Sequence, residues 1–376
     1  MLLRLYMLLL ETNRDTLLTP LQTVMGVVEK RHTLPILSNV LIEKVGNRLS
    51  MLTTDLEIQI KIDTEISTPA TEGDFAITVA AKKMVDICRA FNANAVLRLE
   101  TADNQLQIKS GKSRFNVQTL PAKDFPTVDT SIEANNHIKI EQKKLKNLIA
   151  MVQYAMAQQD IRYYLNGMLL VLEDNAITVV ATDGHRLCLA ADTLSESVNK
   201  QEVIIPRKTI LELTKLLADT DEYVTLTLFK NQIKFELGNT QLISKIIDGK
   251  FPDYNRVIPT THKNILTANS ALLQQSLQRA SILSNEKFRG VRLVLSQNEL
   301  KIVCNNNEQE DAQEEIEVEY QGEPLDIGFN VSYLLDALNH ISSEEILCHF
   351  GDANSSMLMT IPENENYKYV IMPMRI

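Results

Sequence analysis

The chain has 376 residues, 44% of them apolar, which suits two or three domains with cores of their own and excludes a disordered chain. Its formal net charge of -10 argues at first sight against a nucleic-acid partner. However, residues 306–323 hold eight acids and no base, so the rest of the chain carries only -2. The simplest interpretation of this acidic run is a solvated face or loop, but residues 107–115 form a basic stretch without acids that could complement it.

The cysteines and the N-terminus indicate a reduced, cytoplasmic protein. Cys88, Cys188, Cys304 and Cys348 lie far apart with no C-x-x-C pair, which predicts neither a zinc site nor a disulfide framework. The apolar start is interrupted by Arg4, no small-residue cleavage site follows, and no later run reaches the length of a membrane span. We therefore expect a soluble protein, with residues 1–6 as an extension upstream of Met7.

The first predicted elements are a helix over 15–28, a strand over 48–54 and a strand that runs into a helix over 77–91. Apolar residues in the last helix recur with the helical period, which predicts one buried stripe and one free face. This stripe consists of Met84, Ile87, Cys88 and Phe91. A Phe-Pro pair at 125–126 follows.

The same order of elements then occurs twice more. The second copy has a helix over 143–155, a strand over 176–182, a strand and helix over 203–217 and Phe-Pro at 251–252. The third copy has the corresponding elements over 271–283, 299–305 and 325–341, and the apolar end of the chain, 369–376, falls where this copy would be complete. Apolar stripes are expected in each helix, for example Leu145, Leu148, Ile149 and Val152; Ile210, Leu213 and Leu217; and Val331, Leu334, Leu335 and Leu338.

This threefold repeat predicts an α+β fold of three tandem domains, each with two helices on one face of an antiparallel sheet. We place the domains at residues 1–134, 135–261 and 262–376. If neighbouring domains join in the same orientation, they form an arc with helices inside, and two arcs with complementary ends can close into a ring of six domains.

Basic side chains on the predicted helices could face such a ring's interior. They would neutralise phosphates without reading bases, although ordinary solvated lysines and arginines would look the same. These residues are Lys82, Lys83, Arg89, Lys143, Lys144, Lys146, Arg207, Lys208 and Lys215.

Three other strings are candidates for function. Asp183 and His185 in A-T-D-G-H-R-L could be catalytic or metal-binding, but a capped turn is the more common use of this pattern. Arg162, Tyr163 and Tyr164 could stack on bases or bind phosphate, or one ring could pack inward. The apolar C-terminal tail suits a surface that accepts varied partners. No nucleophile elbow, H-E-x-x-H or phosphate-binding loop occurs in the sequence, so a hydrolase is disfavoured, whereas a peptide-binding scaffold without a nucleic-acid role remains an alternative.

Eight strings in order closely resemble the β subunit of bacterial DNA polymerase III, the sliding clamp family. They lie at 33–41, 110–126, 159–169, 181–187, 248–259, 282–293, 328–338 and 369–376, and the likeness runs from about Leu17 to Ile376. The resemblance implies a head-to-tail homodimer that encircles duplex DNA in a sequence-independent way, without catalytic activity, cofactor, metal or membrane partner. It further implies that the clamp tethers the replicative polymerase α subunit, the clamp-loader δ subunit, and other polymerases and repair proteins through a Gln-Leu-Phe-like segment.

The resemblance also assigns roles to residues. The residues that would face DNA are Arg31, Lys82, Gln159, Tyr163, Tyr164 and Lys208. The residues that would form the partner-peptide cleft are Leu165, Thr182, Gly184, His185, Arg186, Leu187, Pro252, Arg256, Val257, Ser356, Val370, Met372, Pro373, Met374 and Arg375. The residues that would form the dimer interface are Lys112, Arg114, Phe115, Val117, Ile282, Leu283, Glu310, Asp311 and Glu314.

Three positions depart from the family's usual residues. Lys82 and Lys112 stand where arginine is common, and Gln313 stands where an acid is common. Lys82, on the side expected to face DNA, keeps the charge but loses the bidentate geometry of arginine. Because the changes at Lys112 and Gln313 weaken the ionic part of the interface slightly, we expect Phe115 against Ile282 and Leu283 to dominate the interface.

Overall fold

The computed structural model describes residues 6–29, 34–66, 73–128 and 136–375. These residues form two compact units, one from Met1–Gln142 and Leu211–Ile246 and the other from Lys143–Ile210 and Ile247–Ile376. Among the described residues, no helix is long and apolar enough to cross a membrane.

The described residues of the N-terminal third form two α-helices and eight strands. In chain order the elements are β1 (Met7–Asn13), α1 (Arg14–Val24), β2 (Asn39–Val45), β3 (Arg48–Thr54), β4 (Ile58–Glu65), β5 (Phe75–Ala80), α2 (Ala81–Arg89), β6 (Val96–Ala102), β7 (Gln105–Ser110) and β8 (Ser113–Leu120).

The central third repeats this plan with a much longer hairpin. Its elements are β9 (Asn136–Glu141), α3 (Gln142–Val152), β10 (Gly167–Thr182), β11 (Arg186–Pro206), α4 (Arg207–Leu216), β12 (Tyr223–Leu228), β13 (Gln232–Leu237) and β14 (Thr240–Lys245). Two 3-10 turns, over Gln153–Ala155 and Tyr163–Leu165, lie between α3 and the hairpin.

The C-terminal third again has two helices among strands. Its elements are β15 (Asn264–Asn269), α5 (Ser270–Ala280), β16 (Gly290–Ser296), β17 (Glu299–Asn305), β18 (Asp311–Glu317), β19 (Glu319–Tyr320), β20 (Leu325–Asn330), α6 (Val331–Leu338), β21 (Glu345–Phe350), β22 (Met357–Ile361) and β23 (Asn364–Ile371).

All sheets are antiparallel, and each lies within one unit. The first unit has twelve strands in the order β1-β6-β7-β8-β5-β2-β3-β4-β14-β13-β12-β9. The second unit has a seven-stranded sheet, β10-β11-β23-β22-β21-β15-β19, and a four-stranded sheet, β18-β17-β16-β20.

The two units do not coincide with the three predicted domains because strands of neighbouring repeats pair edge to edge. Strand β14 pairs with β4 from Thr240 opposite Ile62 to Ser244 opposite Ile58. Strand β11 pairs with β23 in the same manner, from Arg186 opposite Ile371 to Ala190 opposite Tyr367. The domain boundaries at 134/135 and 261/262 therefore stay a prediction.

The helices bury one face each, as their period predicts. Leu145, Leu148, Ile149 and Val152 of α3 are buried, as are Leu17, Leu18, Leu21 and Val24 of α1. The stripe of α2 differs from the prediction, since Val85 is buried while Ile87 and Phe91 are only half-buried. The stripe of α6 likewise uses Ala337, and Leu335 is half-buried.

The four cysteines are free, and all four are buried, as the sequence predicted. Burial raises the pKa of Cys88, Cys188 and Cys348 to about 12 and that of Cys304 to about 11. At neutral pH these thiols are therefore protonated, and they are poor nucleophiles.

Candidate functional site

A mostly apolar cleft of about 330 Å³ lies within the second unit. Its lining residues are Arg162, Tyr164, Leu165, Thr182, Gly184, His185, Arg186, Leu187, Pro252, Val257, Ser356, Val370 and Met372. The structure thus brings together all of the predicted cleft residues except Arg256, Pro373, Met374 and Arg375, whose roles stay predictions. Arg256 is exposed and pairs with Asp253 at 2.9 Å, and Met374 donates its backbone N–H to Gly328 O at 2.8 Å.

The floor of the cleft belongs to the hydrophobic core. Leu187 of β11 lies opposite Val370 of β23, and both are buried among apolar side chains that include Phe251 and Leu358. Because a floor built on paired strands is rigid, the cleft is largely formed before any ligand binds.

The turn between β10 and β11 forms one wall of the cleft. Asp183 Oδ1 accepts hydrogen bonds from the backbone N–H groups of His185 at 2.9 Å and Arg186 at 3.1 Å. Asp183 Oδ2 accepts a further bond from Arg186 Nε at 3.1 Å. These bonds favour a capped turn over a catalytic dyad, because they occupy the carboxylate that would have to act as the base. Among the described residues, no group of three or more His, Cys, Asp or Glu could hold a metal ion.

Gly184 is required in this turn for two independent reasons. Its φ of +88° lies in a region that side chains disfavour, and a Cβ there would lie 2.8 Å from the guanidinium nitrogens of Arg162. Arg162 itself donates from Nη2 to Asp183 O at 3.1 Å. A side chain at residue 184 would therefore force the guanidinium of Arg162 to shift.

If the cleft binds a peptide, as the family resemblance implies, we expect Gly184→Ala to weaken that binding by about tenfold, because Arg162 would move. It should also lower the free energy of unfolding by about 1 kcal/mol because of the positive φ. Gly238→Ala is the matched control, since Gly238 has φ +56° and nothing within 4 Å of a Cβ. Urea unfolding and fluorescence anisotropy with a labelled peptide measure both quantities. Equal peptide affinity in the two variants would contradict this role of Gly184.

The loop before β10 presents side chains in two directions. Asp160 accepts bonds from Arg162 N at 2.8 Å and Nε at 3.0 Å, and this contact lowers the pKa of Asp160 to about 2. Tyr163 is 57% exposed, whereas Tyr164 packs against the hydrophobic cluster under the cleft. Gln159 is exposed with φ +57°. The sequence left open that one of the two tyrosine rings packs inward. That ring is Tyr164, and the ring of Tyr163 stays accessible to solvent.

The other residues predicted to face DNA lie on helices or outside the described part of the chain. Lys82 is exposed on α2 in the first unit, and Lys208 is half-buried on α4 in the second. Arg31 lies outside the described residues. Some of the other basic side chains on the helices have partners within the chain. Lys215 donates to Glu212 at 2.7 Å, and Arg207 donates to Gln153 O at 3.4 Å.

The predicted basic side of the interface lies on β8. Only its last residues, Thr119 and Leu120, pair with β5, so residues 113–118 have an open edge in the described structure. Phe115 is 37% exposed and meets Phe91 edge to face at 5.8 Å, while Val117 is buried. Arg114 and Lys112 are exposed and form no ion pair with any described residue.

A row of basic residues across β6, β7 and β8 explains why Arg114 has no acidic residue beside it. Arg98 lies opposite Lys109, which lies opposite Arg114. Buried Glu100 accepts from both Arg98 and Lys109 at 2.7 Å. The single carboxylate of Glu100 therefore pairs with two basic side chains, and this row provides no acidic partner for Arg114.

The predicted acidic side of the interface lies on β18, an edge strand of the four-stranded sheet. Glu310 and Asp311 are exposed, and Ile282 beside the end of α5 is 77% exposed. Leu283 is half-buried. Glu314 differs from the other acids because it already accepts from Arg279 Nε at 2.9 Å, a contact that lowers the pKa of Glu314.

Sequence reasoning missed two groups that the structure places at or behind the cleft. Arg162 lines the cleft, although the sequence suggested only a contact with bases or phosphate for it. Asp336 and Tyr333 of α6 contact Arg186, and no local pattern could have revealed a pair 150 positions apart in the chain.

Comparison with known proteins identifies the family. The sequence models of the N-terminal, central and C-terminal domains of the DNA polymerase III beta subunit match residues 8–129, 139–253 and 255–375. The beta sliding clamp of Pseudomonas putida is 46% identical over 367 residues, which cover 96% of this chain and 98% of the relative. The beta sliding clamp of Escherichia coli is 42% identical over 363 residues, with coverage of 96% and 98%.

Solved structures agree in fold over the whole chain. A DNA polymerase sliding clamp from Pseudomonas aeruginosa superposes with a TM-score of 0.94 at 44% identity, over 98% of this chain and 100% of that one. The Caulobacter crescentus beta sliding clamp gives a TM-score of 0.93 at 37% identity, over 99% of both chains. With three tandem clamp domains matched in order, the chain belongs to the DNA polymerase III beta subunit family, the sliding clamps that act as processivity factors of the replicative polymerase and not as its catalytic subunit.

Proposed function

We propose that two copies of this chain pair head to tail into a six-domain ring around duplex DNA, and that the cleft tethers polymerases and other DNA-processing proteins to it. The observation that carries the ring is the presence of two open strand edges of opposite charge, β8 with Lys112 and Arg114 and β18 with Glu310 and Asp311. Unlike edges that fit each other join copies in a closed ring or in an open filament.

Apolar contacts support the same pairing. Phe115 on the basic edge and Ile282 near the acidic edge are both exposed in the single chain. Large apolar side chains at the centre of a contact supply most of its stability, while charges at its rim mainly select the partner. Phe115 against Ile282 and Leu283 is therefore the proposed centre, with Val117 as the buried support beneath Phe115.

DNA is held in this proposal by enclosure and by weak phosphate contacts. Lys82 and Tyr163 are exposed, as is Gln159, and Lys208 lies at the start of α4. Such residues neutralise or hydrogen-bond phosphates without reading bases, so binding is independent of sequence and weakens with salt. Arg31 is assigned to this surface on the family resemblance alone, and so is Tyr164, although its ring packs inward and lines the cleft in the single chain. We place the protein in the bacterial cytoplasm, where it meets DNA.

The cleft suits a short peptide with one large apolar anchor. Leu165, Leu187 and Val370 form its apolar floor, and Met372 lies at its rim, 49% exposed. A flexible thioether adapts to different side chains, which fits a site that serves several partners. We propose that these partners are the polymerase α subunit, the clamp-loader δ subunit, and other polymerases and repair proteins with a Gln-Leu-Phe-like segment.

Ligands bound to relatives support a binding site in clamps of this family. One Pseudomonas aeruginosa sliding clamp was crystallised bound to griselimycin, and the Caulobacter crescentus clamp carries polyethylene glycol at its putative beta-motif tethering region.

The decisive experiment is topological. The protein is loaded onto nicked circular DNA with its clamp loader and ATP, and its retention is measured by gel filtration before and after the circle is cut once. We expect retention on the circle and loss after linearisation, because an enclosing ring slips off a free end. Retention on linear DNA, or a monomer by native mass spectrometry at micromolar concentration, would contradict the proposal.

The acidic residues of β18 should contribute unequally to the stability of the dimer. Asp311 forms no ion pair with any described residue, whereas Glu314 is already paired with Arg279 in its own chain. We expect Asp311→Asn to raise the dimer dissociation constant about threefold at low salt and Glu314→Gln to change it less. Sedimentation velocity at about 50 mM and 1 M NaCl tests this, since the difference should vanish at high salt. A larger effect of Glu314→Gln would show that Arg279 does not neutralise it.

A further inference from the structure

The side chain of Arg186 lies behind the cleft wall and is almost enclosed by polar and aromatic groups. Its side chain is 10% exposed, and Nη1 donates to Asp336 Oδ2 at 2.6 Å while Nη2 donates to Tyr154 O at 2.6 Å. The guanidinium carbon lies 4.3 Å from the centre of the Tyr333 ring and 5.6 Å from that of Tyr154. A planar guanidinium held in this way has one orientation.

This orientation determines the position of the wall itself. Arg186 O accepts from Thr182 Oγ1 at 2.6 Å, which closes the turn, and His185 O accepts from the backbone N–H of Met372 at 2.9 Å. Thr182, His185 and Met372 all line the cleft. A shift of Arg186 would therefore move lining groups on both sides of the turn.

The carboxylates of Asp183 and Asp336 both contact the guanidinium of Arg186, but they have different structural roles. Asp183 belongs to the turn and already caps its backbone through Oδ1. Asp336 comes from α6, does not line the cleft, and reaches Arg186 from outside the turn. The same end of α6 is anchored by His340, whose ring stacks on Tyr154 at 4.7 Å. Asp336 is thus the acid that ties the wall to a separate helix.

We propose that Asp336 is a positioning residue for the cleft, which acts through Arg186 to hold the turn of residues 182–187 in its peptide-binding conformation. This inference rests on the proposed function of the cleft as a peptide site. It makes α6 a determinant of partner affinity, although no residue of that helix lines the cleft.

The test compares Asp336→Asn with Asp326→Asn as a matched control. Asp326 is also paired with an arginine, Arg292 at 2.7 Å, and its side chain is 45% exposed against 39% for Asp336. Fluorescence anisotropy with a labelled Gln-Leu-Phe-type peptide should give about tenfold weaker binding for Asp336→Asn and less than about twofold for Asp326→Asn. Asp336→Glu, which keeps the charge, should recover most of the affinity.

Hydrogen–deuterium exchange provides a readout that a general loss of stability would not reproduce. The amides of His185, Arg186 and Met372 should exchange faster in Asp336→Asn, while the strands of the first unit should be unchanged. Equal peptide affinity of the two Asn variants would overturn the inference, because Asp336 would then have no effect on the cleft wall. Uniformly faster exchange or loss of the fold in Asp336→Asn would also overturn it, because the effect of Asp336 would then be on the stability of the whole protein. If the unsubstituted protein bound no peptide, the proposed function of the cleft would fail instead.

Discussion

Replacing Ile282 with aspartate should convert the dimer into monomers at micromolar concentration. Ile282 is 77% exposed in the single chain, so the substitution leaves its fold intact, but in the proposed dimer the side chain is buried against Phe115. Loss of an apolar contact together with burial of an unpaired charge should cost about 4 kcal/mol, or about a thousandfold in the dissociation constant.

Sedimentation velocity and native mass spectrometry measure this change. The matched control is Ile265→Asp, because Ile265 is also exposed, but it lies on β15, which is neither of the two strands proposed to meet in the dimer. The control should remain a dimer. The Ile282 variant should also lose retention on circular DNA, and a variant that stayed dimeric would exclude residue 282 from the interface.

Removing residues 372–376 should abolish peptide binding, with an affinity loss of at least about fiftyfold, and leave the fold intact. The last strand ends at Ile371, which is fully buried, whereas Met372 is 49% exposed at the cleft. The truncation removes the thioether and also the bond from Met372 N to His185 O that supports the opposite wall. Thermal unfolding should therefore shift little, because the core is complete at Ile371.

Single substitutions separate the contributions within this tail. Met372→Ala should cause about a tenfold loss, because Met372 lines the cleft, whereas Met374→Ala should cause less than about twofold. Anisotropy titrations with one peptide compare all three variants. A large effect of Met374→Ala would show that bound peptide extends beyond the cleft observed in the single chain.

Local sequence patterns predicted the position of several elements. The predicted strands at 48–54 and 299–305 are β3 and β17 with the same bounds. The strand predicted at 176–182 is only the end of β10, which starts at Gly167, because both faces of its first half are buried and the pattern does not alternate. Helix α2 was predicted in the right position, and Met84 and Cys88 of its predicted stripe are buried, whereas Ile87 and Phe91 are only half-buried.

Contacts between repeats could not be predicted from the residues alone. Whether β4 pairs with β14 depends on how two neighbouring repeats meet, and neither strand carries a local sign of its partner. The cleft combines residues from 162 to 372, so its composition came from family resemblance and not from spacing. Asp336 was missed for the same reason, since its partner Arg186 is distant in sequence.

The pairing of β4 with β14 has a consequence for how such a ring would open. Those strands belong to one polypeptide, so when they separate they remain at high effective concentration and rejoin at once. A junction of β8 with β18 would have no such tether, and separating it would require only that two molecules part along one edge. A loading machine that spends ATP to admit DNA would therefore act at the boundary between molecules, and covalently linking the two chains across it should block entry of circular DNA.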